Sequence, residues 1–325
     1  MQPVDVVSIC NALMDVVVSV SEAELQALPL QKGYSHLMES DAQQEILQKV
    51  NHRTFSYELG GSCLNAVRAL ALLGQKTAFA GAIGEDAFGE RIRVRTDALQ
   101  IAAQLSAQAG HATGCCLVLV TPDGERTMVT SLGASTQMGY QDVPTHALQK
   151  AQFLHCSGYA WLSPGLKEAV QRSIAVAKAA GVKVSIDISD PCVAQLVRDD
   201  MLEVIAQHAE VVFANEEEAH LLFAGSPEVA AQKLADQGIM AVIKLGAKGA
   251  LMQRGNERCF ITPESVTVVD TTAAGDMFAA GVLYGMLLGR GLETAGRMGS
   301  LLAADVIGRY GATLSEAVLL RVRGM

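Results

Sequence analysis

The amino-acid sequence predicts an α/β protein with three layers, in which helices cover both faces of a mostly parallel sheet, and with a small β lid. Short, uniformly apolar segments alternate with helical segments in the second half of the chain, a pattern typical of buried parallel strands. We expect these strands near Phe153–Cys156, Val182–Ile186, Val211–Phe213 and Met240–Lys244. Gly181 and Gly238 stand where two of the intervening helices should end.

The first half of the chain contributes further elements to the same sheet. In chain order we predict a strand at Val4–Ile9, a helix at Ser62–Leu73 ended by Gly74, a strand at Thr77–Ala82, a glycine-rich turn at Gly81–Asp86 and a helix from about Ala87. The Ala- and Gln-rich stretch 97–110 gives no clear prediction.

The lid is predicted from two insertions, near residues 11–58 and 111–134. In the second, Thr113–Val120 and Arg126–Thr130 flank Pro122-Asp123-Gly124, which is a hairpin turn signal. In the first, a polar stretch reaches Glu58 and includes a short helix start at Ser21–Glu24. The simplest division of the chain is one domain over residues 1–325 that carries this lid.

The last part of the chain is expected to close the sheet and cover it. Segments Ala250–Gln253, Arg258–Ile261 and Ser265–Val269 look like a β-meander at the edge of the sheet. Two long helices should follow, at about Gly275–Leu288 and Leu292–Ile307.

Composition narrows the class of protein. The net charge of -9 argues against nucleic acid as a partner, because phosphate backbones require clustered Lys and Arg. No apolar run is long enough for a membrane span, and the N-terminus lacks the basic region of a signal peptide. The seven cysteines form no C-x-x-C pair, and the histidines have no ligand-like spacing. We therefore expect a cytoplasmic protein without a zinc site.

The segment Val268–Gly281 carries the clearest chemistry. It runs from a predicted strand through a turn of small residues into a helix, whose first amides and dipole favour an anion. Asp276 falls in the first turn, where a carboxylate is unfavourable for simple anion binding. It makes sense as a base that takes a proton from a hydroxyl while the amides stabilise a transferring phosphoryl group. The alternative interpretation of this segment, taken alone, is that Asp276 is only a helix-capping acid.

Other features fit ligand binding, each with an ordinary structural alternative. Gly60-Gly61 before a helix brings the backbone close to a ligand, and Asn65 can donate to and accept from vicinal hydroxyls, although glycines here also suit a common loop. Asp15 lies among Val and Met residues, where burying a carboxylate is costly unless it has a binding partner. Asn215 and Glu218 follow a strand, where a solvated acidic helix start is the alternative.

Together these motifs resemble the ribokinase/PfkB family of carbohydrate kinases over nearly the whole chain. Asp270–Asp276 (D-T-T-A-A-G-D) is similar to the family signature D-T-x-G-A-G-D, and Gly60–Asn65 to G-G-x-x-x-N. Asn215–Glu218 fits N-x-x-E, and Gly81–Gly89 fits G-x-x-G-x-D-x-x-G. The phosphate loop G-x-x-x-x-G-K-[ST], the protein-kinase motifs and the dinucleotide fingerprint G-x-G-x-x-G do not occur.

The resemblance implies a ribokinase-like fold, ATP-dependent phosphorylation and a role for each matching residue. Asp276 would be the catalytic base, with the amides of Ala274, Gly275 and Asp276 as the anion hole. The acceptor-binding residues would be Asn11, Asp15, Gly60, Gly61 and Asn65. The nucleotide would contact Asn215, Gly246, Gly249 and Ala273, with contact from Lys244 left open, and Glu218 would help to hold Mg²⁺. Arg126 is placed like a lid arginine that reaches phosphate, although it could also be a solvated hairpin charge.

Ala273 departs from the family, which usually has Gly there. If this position requires a positive φ, alanine costs about 1–2 kcal/mol. The A-A-G-D form occurs in the sugar-acid kinase branch, so the change is compatible with activity.

The acceptor is predicted to be a nucleoside like adenosine or else a sugar. Segments around Asn11–Asp15, Ala112–Cys115 and Ser157–Trp161 resemble bacterial adenosine-kinase-like members, and Tyr159 and Trp161 could stack on a base or pack in the core. The alternative acceptor is ribose, fructose or 2-keto-3-deoxygluconate, which Ala273-Ala274 favours. Rivals from other classes are a non-catalytic ligand sensor and a cofactor-binding oxidoreductase. Potassium activation occurs in the family, but the sequence does not identify ligands for it, and either a monomer or a homodimer fits.

Overall fold

The computed structural model describes residues 4–325, and its elements follow the predicted alternation. The strands are β1 (Val6–Ile9), β2 (Leu13–Ser19), β3 (Ser35–Leu37), β4 (Phe55–Gly60), β5 (Thr77–Gly84), β6 (Ala102–Gln108), β7 (Gly114–Val120), β8 (Arg126–Ser131), β9 (Phe153–Ser157), β10 (Lys183–Asp187), β11 (Ala209–Asn215), β12 (Met240–Lys244), β13 (Ala250–Arg254) and β14 (Glu257–Ile261). The helices are α1 (Glu22–Gln26), α2 (Ser40–Lys49), α3 (Ser62–Leu72), α4 (Ala87–Ala98), α5 (Thr145–Leu148), α6 (Pro164–Ala179), α7 (Pro191–Leu196), α8 (Arg198–His208), α9 (Glu216–Phe223), α10 (Pro227–Asp236), α11 (Ala274–Leu287), α12 (Leu292–Ile307) and α13 (Glu316–Arg323).

Nine strands form the main sheet, in the order β14-β13-β12-β11-β10-β9-β1-β5-β6. The pairs from β12 to β6 are parallel, and β13 and β14 add an antiparallel edge. The central strand β1 pairs with β5 on one side and β9 on the other, so Val6 lies opposite both Thr77 and Phe153. These pairings confirm the predicted parallel sheet, whose inner strands are largely buried.

Helices cover this sheet on both sides, which gives the three layers that the sequence predicts. Helices α5, α6, α8, α9 and α10 bury their apolar faces against one side. Helices α3, α11, α12 and α13 pack against the other. Close packing of α11 on α12 depends on glycine, because a Cβ at Gly281 would lie 2.5 Å from the backbone of Gly299.

A second sheet of five strands, in the order β3-β8-β7-β2-β4, forms the lid sheet. Its strands come from Leu13–Gly60 and Gly114–Ser131, the regions where the two insertions are predicted. One face of the lid sheet buries Met14, Val16 and Leu117 with residues of α1, α2 and α3. The opposite face bears Leu13, Asp15 and Cys116, which line a cavity together with residues at the carboxyl ends of the main-sheet strands.

Two local predictions are wrong, and some elements were not predicted. The turn at Gly81–Asp86 is wrong, because β5 continues to Gly84 where it still pairs with Gln108 of β6. Stretch 97–110 contains the edge strand β6, and a C-terminal helix, α13, was not predicted. Ser265–Val269 is not a strand: the amide of Val269 donates to the carbonyl of Ile307 at 2.8 Å, so the segment runs along the end of α12 instead of beside β14.

Among residues 4–325, none of the helices combines the length and apolar character that crossing a bilayer requires.

Candidate active site

A cavity of about 400 Å³ opens between the lid sheet and the carboxyl ends of β1, β9, β10 and β12. The strand order changes direction between β1 and β9, and ligands of open α/β sheets bind at such a point. The cavity brings together most of the predicted site residues: Asn11, Asp15, Gly61, Asn65, Arg126, Lys244, Ala273, Ala274, Gly275 and Asp276.

Asp276 lies in the first turn of α11 and is held by two side chains of α3. The hydroxyl of Ser62 donates to its Oδ1 at 2.7 Å, and Asn65 Nδ2 donates to its Oδ2 at 2.9 Å. Burial raises the pKa of Asp276 to about 6, although these hydrogen bonds act to lower it. The carboxyl is therefore mainly ionised at neutral pH and can accept a proton.

The turn before α11 adopts the strained conformation considered for alanine. Ala273 is left-handed, with φ 58° and ψ 12°, and the helix begins at the next residue. Ala274, Gly275 and Asp276 line the cavity, and a Cβ on Gly275 would lie 3.1 Å from Lys244 Nζ. An amide-rich turn beside an ammonium group is suited to an anion.

Lys244 ends β12 and is paired with Asp187 at the end of β10. Its Nζ lies 3.1 Å from each carboxylate oxygen, and Asp187 is 2 % exposed. Burial acts to lower the pKa of Lys244, but the carboxylates of Asp187 and Glu218 outweigh this and raise it. The ammonium group therefore remains charged next to the α11 turn.

The acceptor residues predicted from β1 and β2 line the opposite side of the cavity. Burial raises the pKa of Asp15 to about 7, against the opposing effect of Arg68. Gly60 leaves room for this carboxyl group, because a Cβ there would lie 2.0 Å from Asp15 Oδ1. Gly61 has φ 94° and approaches the carbonyl of Asn11. Asn11 Oδ1 is buried without a hydrogen-bond partner, so a ligand hydroxyl would satisfy it.

Arg126 projects from β8 of the lid sheet to the segment that leads into α11. It forms an ion pair with Asp270 and donates a hydrogen bond to the hydroxyl of Thr272. Asp270 is buried and also accepts from the amides of Thr272 (2.7 Å) and Gly311 (2.9 Å). Arg126 is therefore not a solvated hairpin charge, and it connects the lid to the α11 turn.

The remaining wall of the cavity is apolar. It is formed from the lid sheet, from the turn after β9 and from α7, by the side chains of Leu13, Leu37, Met128, Leu132, Leu162, Val193 and Leu196. Leu37 and Leu196 are 56 % and 73 % exposed, so they offer apolar surface that a ligand could cover. Tyr159 lines the same region and donates to Asp190 Oδ2 at 3.2 Å.

Asn215 and Glu218 form a reciprocal cap at the start of α9. Glu218 Oε2 accepts from the Asn215 amide and Oε1 from Asn215 Nδ2, both at 2.7 Å. Glu218 is 1 % exposed and burial raises its pKa to about 7, so it is not the solvated acid of the alternative interpretation. Residues 4–325 contain no group of three or more His, Cys, Asp or Glu side chains arranged to hold a metal.

Three predicted nucleotide residues, Asn215, Gly246 and Gly249, lie outside the cavity lining, as do Gly60 and Glu218. Gly246 (φ 58°) has open space around it, and Gly249 (φ 94°) packs so closely that a Cβ would lie 1.9 Å from the carbonyl of Ile261. The glycine at 249 is thus required by the β13–β14 packing. Trp161 belongs to the core beneath α6 and does not line the cavity, whereas Tyr159 does.

Sequence reasoning missed Ser62, Asp187 and Asp190. Asp187 ends β10 and Asp190 follows it, so both could have been found from their place at a strand's carboxyl end. Ser62 occupies an unspecified position of the motif, and its role depends on a contact with a residue far along the chain.

Comparison with known proteins agrees with this architecture. Residues 34–318 match the family described as "pfkB family carbohydrate kinase". The chain belongs to the pfkB family of carbohydrate kinases. It is therefore a phosphotransferase, its fold is ribokinase-like, and family membership implies the use of ATP.

Individual relatives of this pfkB protein include both sugar and nucleoside kinases. A ribokinase of Haemophilus influenzae is 30% identical over 81% of this chain and 85% of its own. A probable sugar kinase from Rhizobium etli superposes with a TM-score of 0.92 at 29% identity, covering 100% of this chain and 99% of the other. An adenosine kinase from Sinorhizobium meliloti superposes equally well, with a TM-score of 0.92, 30% identity and 99% of both chains covered.

Proposed function

We propose that the protein phosphorylates a hydroxyl group of an adenosine-like nucleoside, with ATP as donor and Asp276 as general base. The observation that carries the choice of acceptor is the apolar wall of the cavity, which faces the polar side formed by Asn11, Asp15 and Asn65. A simple sugar could satisfy the polar side but would leave the leucines of the wall in water. A nucleoside has a ribose for one side and a flat base for the other.

The charges in the cavity argue against a sugar acid. The cationic side chains among the described lining residues, Arg126 and Lys244, are already paired with Asp270 and Asp187. A carboxylate on the acceptor would have to break one of these pairs or stay uncompensated close to Asp15 and Asp276. An uncharged acceptor avoids both costs.

The proposed reaction follows from the placement of Asp276 beside the α11 turn. Asp276 accepts the proton of the acceptor hydroxyl, and the hydroxyl oxygen attacks the γ-phosphorus of ATP. The bond between that phosphorus and the β,γ-bridging oxygen breaks, and ADP leaves with both electrons. The amides of Ala274, Gly275 and Asp276 stabilise the charge on the transferred phosphoryl group, with Lys244 beside them.

Magnesium fits the chemistry of Glu218. This carboxylate is buried near Asp187, and both effects raise its pKa, so a nearby cation would stabilise its ionised form. Mg²⁺ keeps much of its water shell and is held largely by substrate phosphates, so a cluster of protein ligands is unnecessary. When bound, it would neutralise negative charge on the ATP phosphates.

A simple sugar is the second candidate, since the Haemophilus influenzae relative is named a ribokinase. An ADP-release assay with Mg·ATP should distinguish the two, using adenosine, cytidine, ribose, fructose and 2-keto-3-deoxygluconate as acceptors. We expect kcat/KM for adenosine to exceed that for ribose by at least about tenfold. The variant Asp276→Asn should lose about 10²–10⁴-fold in kcat. A higher kcat/KM for ribose than for adenosine would reject a nucleoside as the acceptor. Near-normal turnover by folded Asp276→Asn would reject Asp276 as the general base.

A further inference from the structure

Both carboxylate oxygens of Asp276 are held by α3, which lies far away along the chain. Ser62, the first residue of α3, donates its single hydroxyl proton to Oδ1, while Asn65, one turn later, donates to Oδ2. Asn65 also accepts from Arg68 Nη2 at 3.3 Å and belongs to the proposed acceptor site. The Ser62 hydroxyl donates to Asp276 alone.

The surroundings of Asp276 make this hydroxyl important. The titratable and charged side chains that act on its carboxyl group from α3, β2, the turn after β9, β10 and β12 are Asp15, Cys63, Arg68, Tyr159, Asp187 and Lys244. Burial is the strongest influence and raises the pKa of Asp276, while the Ser62 hydrogen bond is the strongest influence that lowers it. Without that bond, less of the carboxyl would be ionised at neutral pH.

We propose that Ser62 is a positioning residue for the kinase reaction, which orients Asp276 towards the acceptor hydroxyl and keeps it ready to accept a proton. The inference rests on the proposed function of Asp276 as base. Gly61 makes the arrangement possible, because its positive φ turns the chain so that α3 begins with Ser62 facing α11.

The test is the pH dependence of kcat for the wild-type enzyme, Ser62→Ala and Ser62→Thr, with saturating Mg·ATP and the preferred acceptor. Ser62→Ala should move the acidic limb of the profile upward by about one pH unit, because a hydrogen bond to a charged group is lost. Ser62→Thr retains the hydroxyl and should restore the wild-type limb. An unshifted limb in Ser62→Ala, whatever the change in kcat, would overturn the proposal.

A titration that does not depend on turnover separates the two proposals. The side-chain carboxyl ¹³C resonance of Asp276 is assigned by its loss in Asp276→Asn and is followed with pH in the wild-type protein and Ser62→Ala. If the titration midpoint of Asp276 rises in Ser62→Ala but the kcat profile does not shift, the effect of Ser62 on the Asp276 carboxyl is supported. The role of Asp276 as base is then rejected. An unchanged midpoint would reject the role of Ser62.

The matched control is Ser173→Ala on α6. Its buried hydroxyl donates to the Ala169 carbonyl at 2.6 Å, within its own helix on the other side of the sheet. We expect this variant to keep the wild-type limb. If Ser62→Ala fails to fold, Ser62→Cys provides a weaker donor of similar size. The acidic limb of Ser62→Cys should then move upward, but by less than the shift expected for complete loss of the hydrogen bond.

Discussion

Ala273, at the turn before α11, is a residue at which the local conformation and the residue type disagree. Its φ of 58° is a conformation that glycine adopts freely and alanine does not. We predict that Ala273→Gly raises the free energy of unfolding by about 0.5–1 kcal/mol, after allowing for the greater entropy of glycine in the unfolded chain. Urea unfolding followed by circular dichroism would measure the change.

Ala280→Gly is the control for this comparison, because Ala280 lies inside α11 with ordinary helical geometry. There, glycine should lower the free energy of unfolding by about 1 kcal/mol. Equal losses in the two variants would contradict the explanation from left-handed backbone geometry.

Asp15 shows how a buried carboxyl group in the site opposes stability. Its pKa rises from an ordinary value of 3.8 to about 7 on folding, so the folded protein binds the proton more tightly than the unfolded chain. The unfavourable contribution is therefore absent below about pH 4, grows as the pH rises, and is complete above about pH 7. We predict that Asp15→Asn raises the free energy of unfolding by about 2 kcal/mol at pH 8 and by almost nothing at pH 4.

Thermal unfolding across this pH range tests the prediction, with Asp97→Asn as control. Asp97 is exposed on α4, and its replacement should leave the thermal unfolding temperature almost unchanged. A gain for Asp15→Asn that stays constant from pH 4 to pH 8 would mean that its charge is not the cause.

Among the elements, helix α11 bears Asp276 and packs on α12. The two helices are close enough that glycine is needed where they cross. A methyl group at Gly281 would meet the Gly299 backbone at 2.5 Å, and backbone cannot move aside as a flexible side chain can. We predict that Gly281→Ala lowers the free energy of unfolding by about 1–3 kcal/mol through overpacking, as measured by urea unfolding.

Gly324→Ala is the matched control, since its Cβ would lie 3.5 Å from the nearest atoms and its φ of -77° suits alanine. We expect a change within about 0.5 kcal/mol. If both substitutions were neutral, α11 and α12 would pack less tightly than described.

Elements with strong apolar or glycine signals were predictable, and those without them were not. The inner strands β9 to β12 were predicted because burial on both faces requires continuous apolar residues. Strand β6 was missed because Ala102–Gln108 has no β-branched residue and is held mainly by its pairing with β5. Val266 and Val268 alternate as a strand would, but tertiary contact with α12 decides the conformation of their segment.

The lid and the main body are joined across the cavity by the buried pair of Arg126 and Asp270. Removing one partner of such a pair leaves an uncompensated charge, which typically costs about 3–5 kcal/mol. We predict that Arg126→Ala is strongly destabilised, while the double variant Arg126→Ala/Asp270→Asn recovers part of the loss. We also expect faster amide hydrogen exchange in the strands of the lid sheet of Arg126→Ala.

Lys32→Ala provides the control, because Lys32 pairs with Glu22 and Asp123 at the exposed side of the lid. Its loss should leave both the free energy of unfolding and amide exchange in the lid sheet almost unchanged. If Arg126→Ala matched this control, the pair with Asp270 would not hold the lid.

At the scale of the whole molecule, the sequence predicted which segments meet better than it predicted how they meet. Strand ends converge in any parallel sheet, so Asn11 after β1 and Lys244 at the end of β12 could be grouped from the sequence. Asp15 and Asp276 were grouped with them by the resemblance of their motifs to those of the family. The Ser62–Asp276 hydrogen bond and the Arg126–Asp270 pair link residues that are far apart in sequence. Such contacts depend on helix and lid orientation, which no local pattern encodes.

The distance along the chain between Ser62 and Asp276 also matters for folding during translation. The two residues are 214 positions apart. The central strand β1 cannot pair on both edges until β9 has been synthesised. Translation delivers α3 well before α11. A growing chain on the ribosome therefore contains no complete site until α11 has emerged and packed against α3.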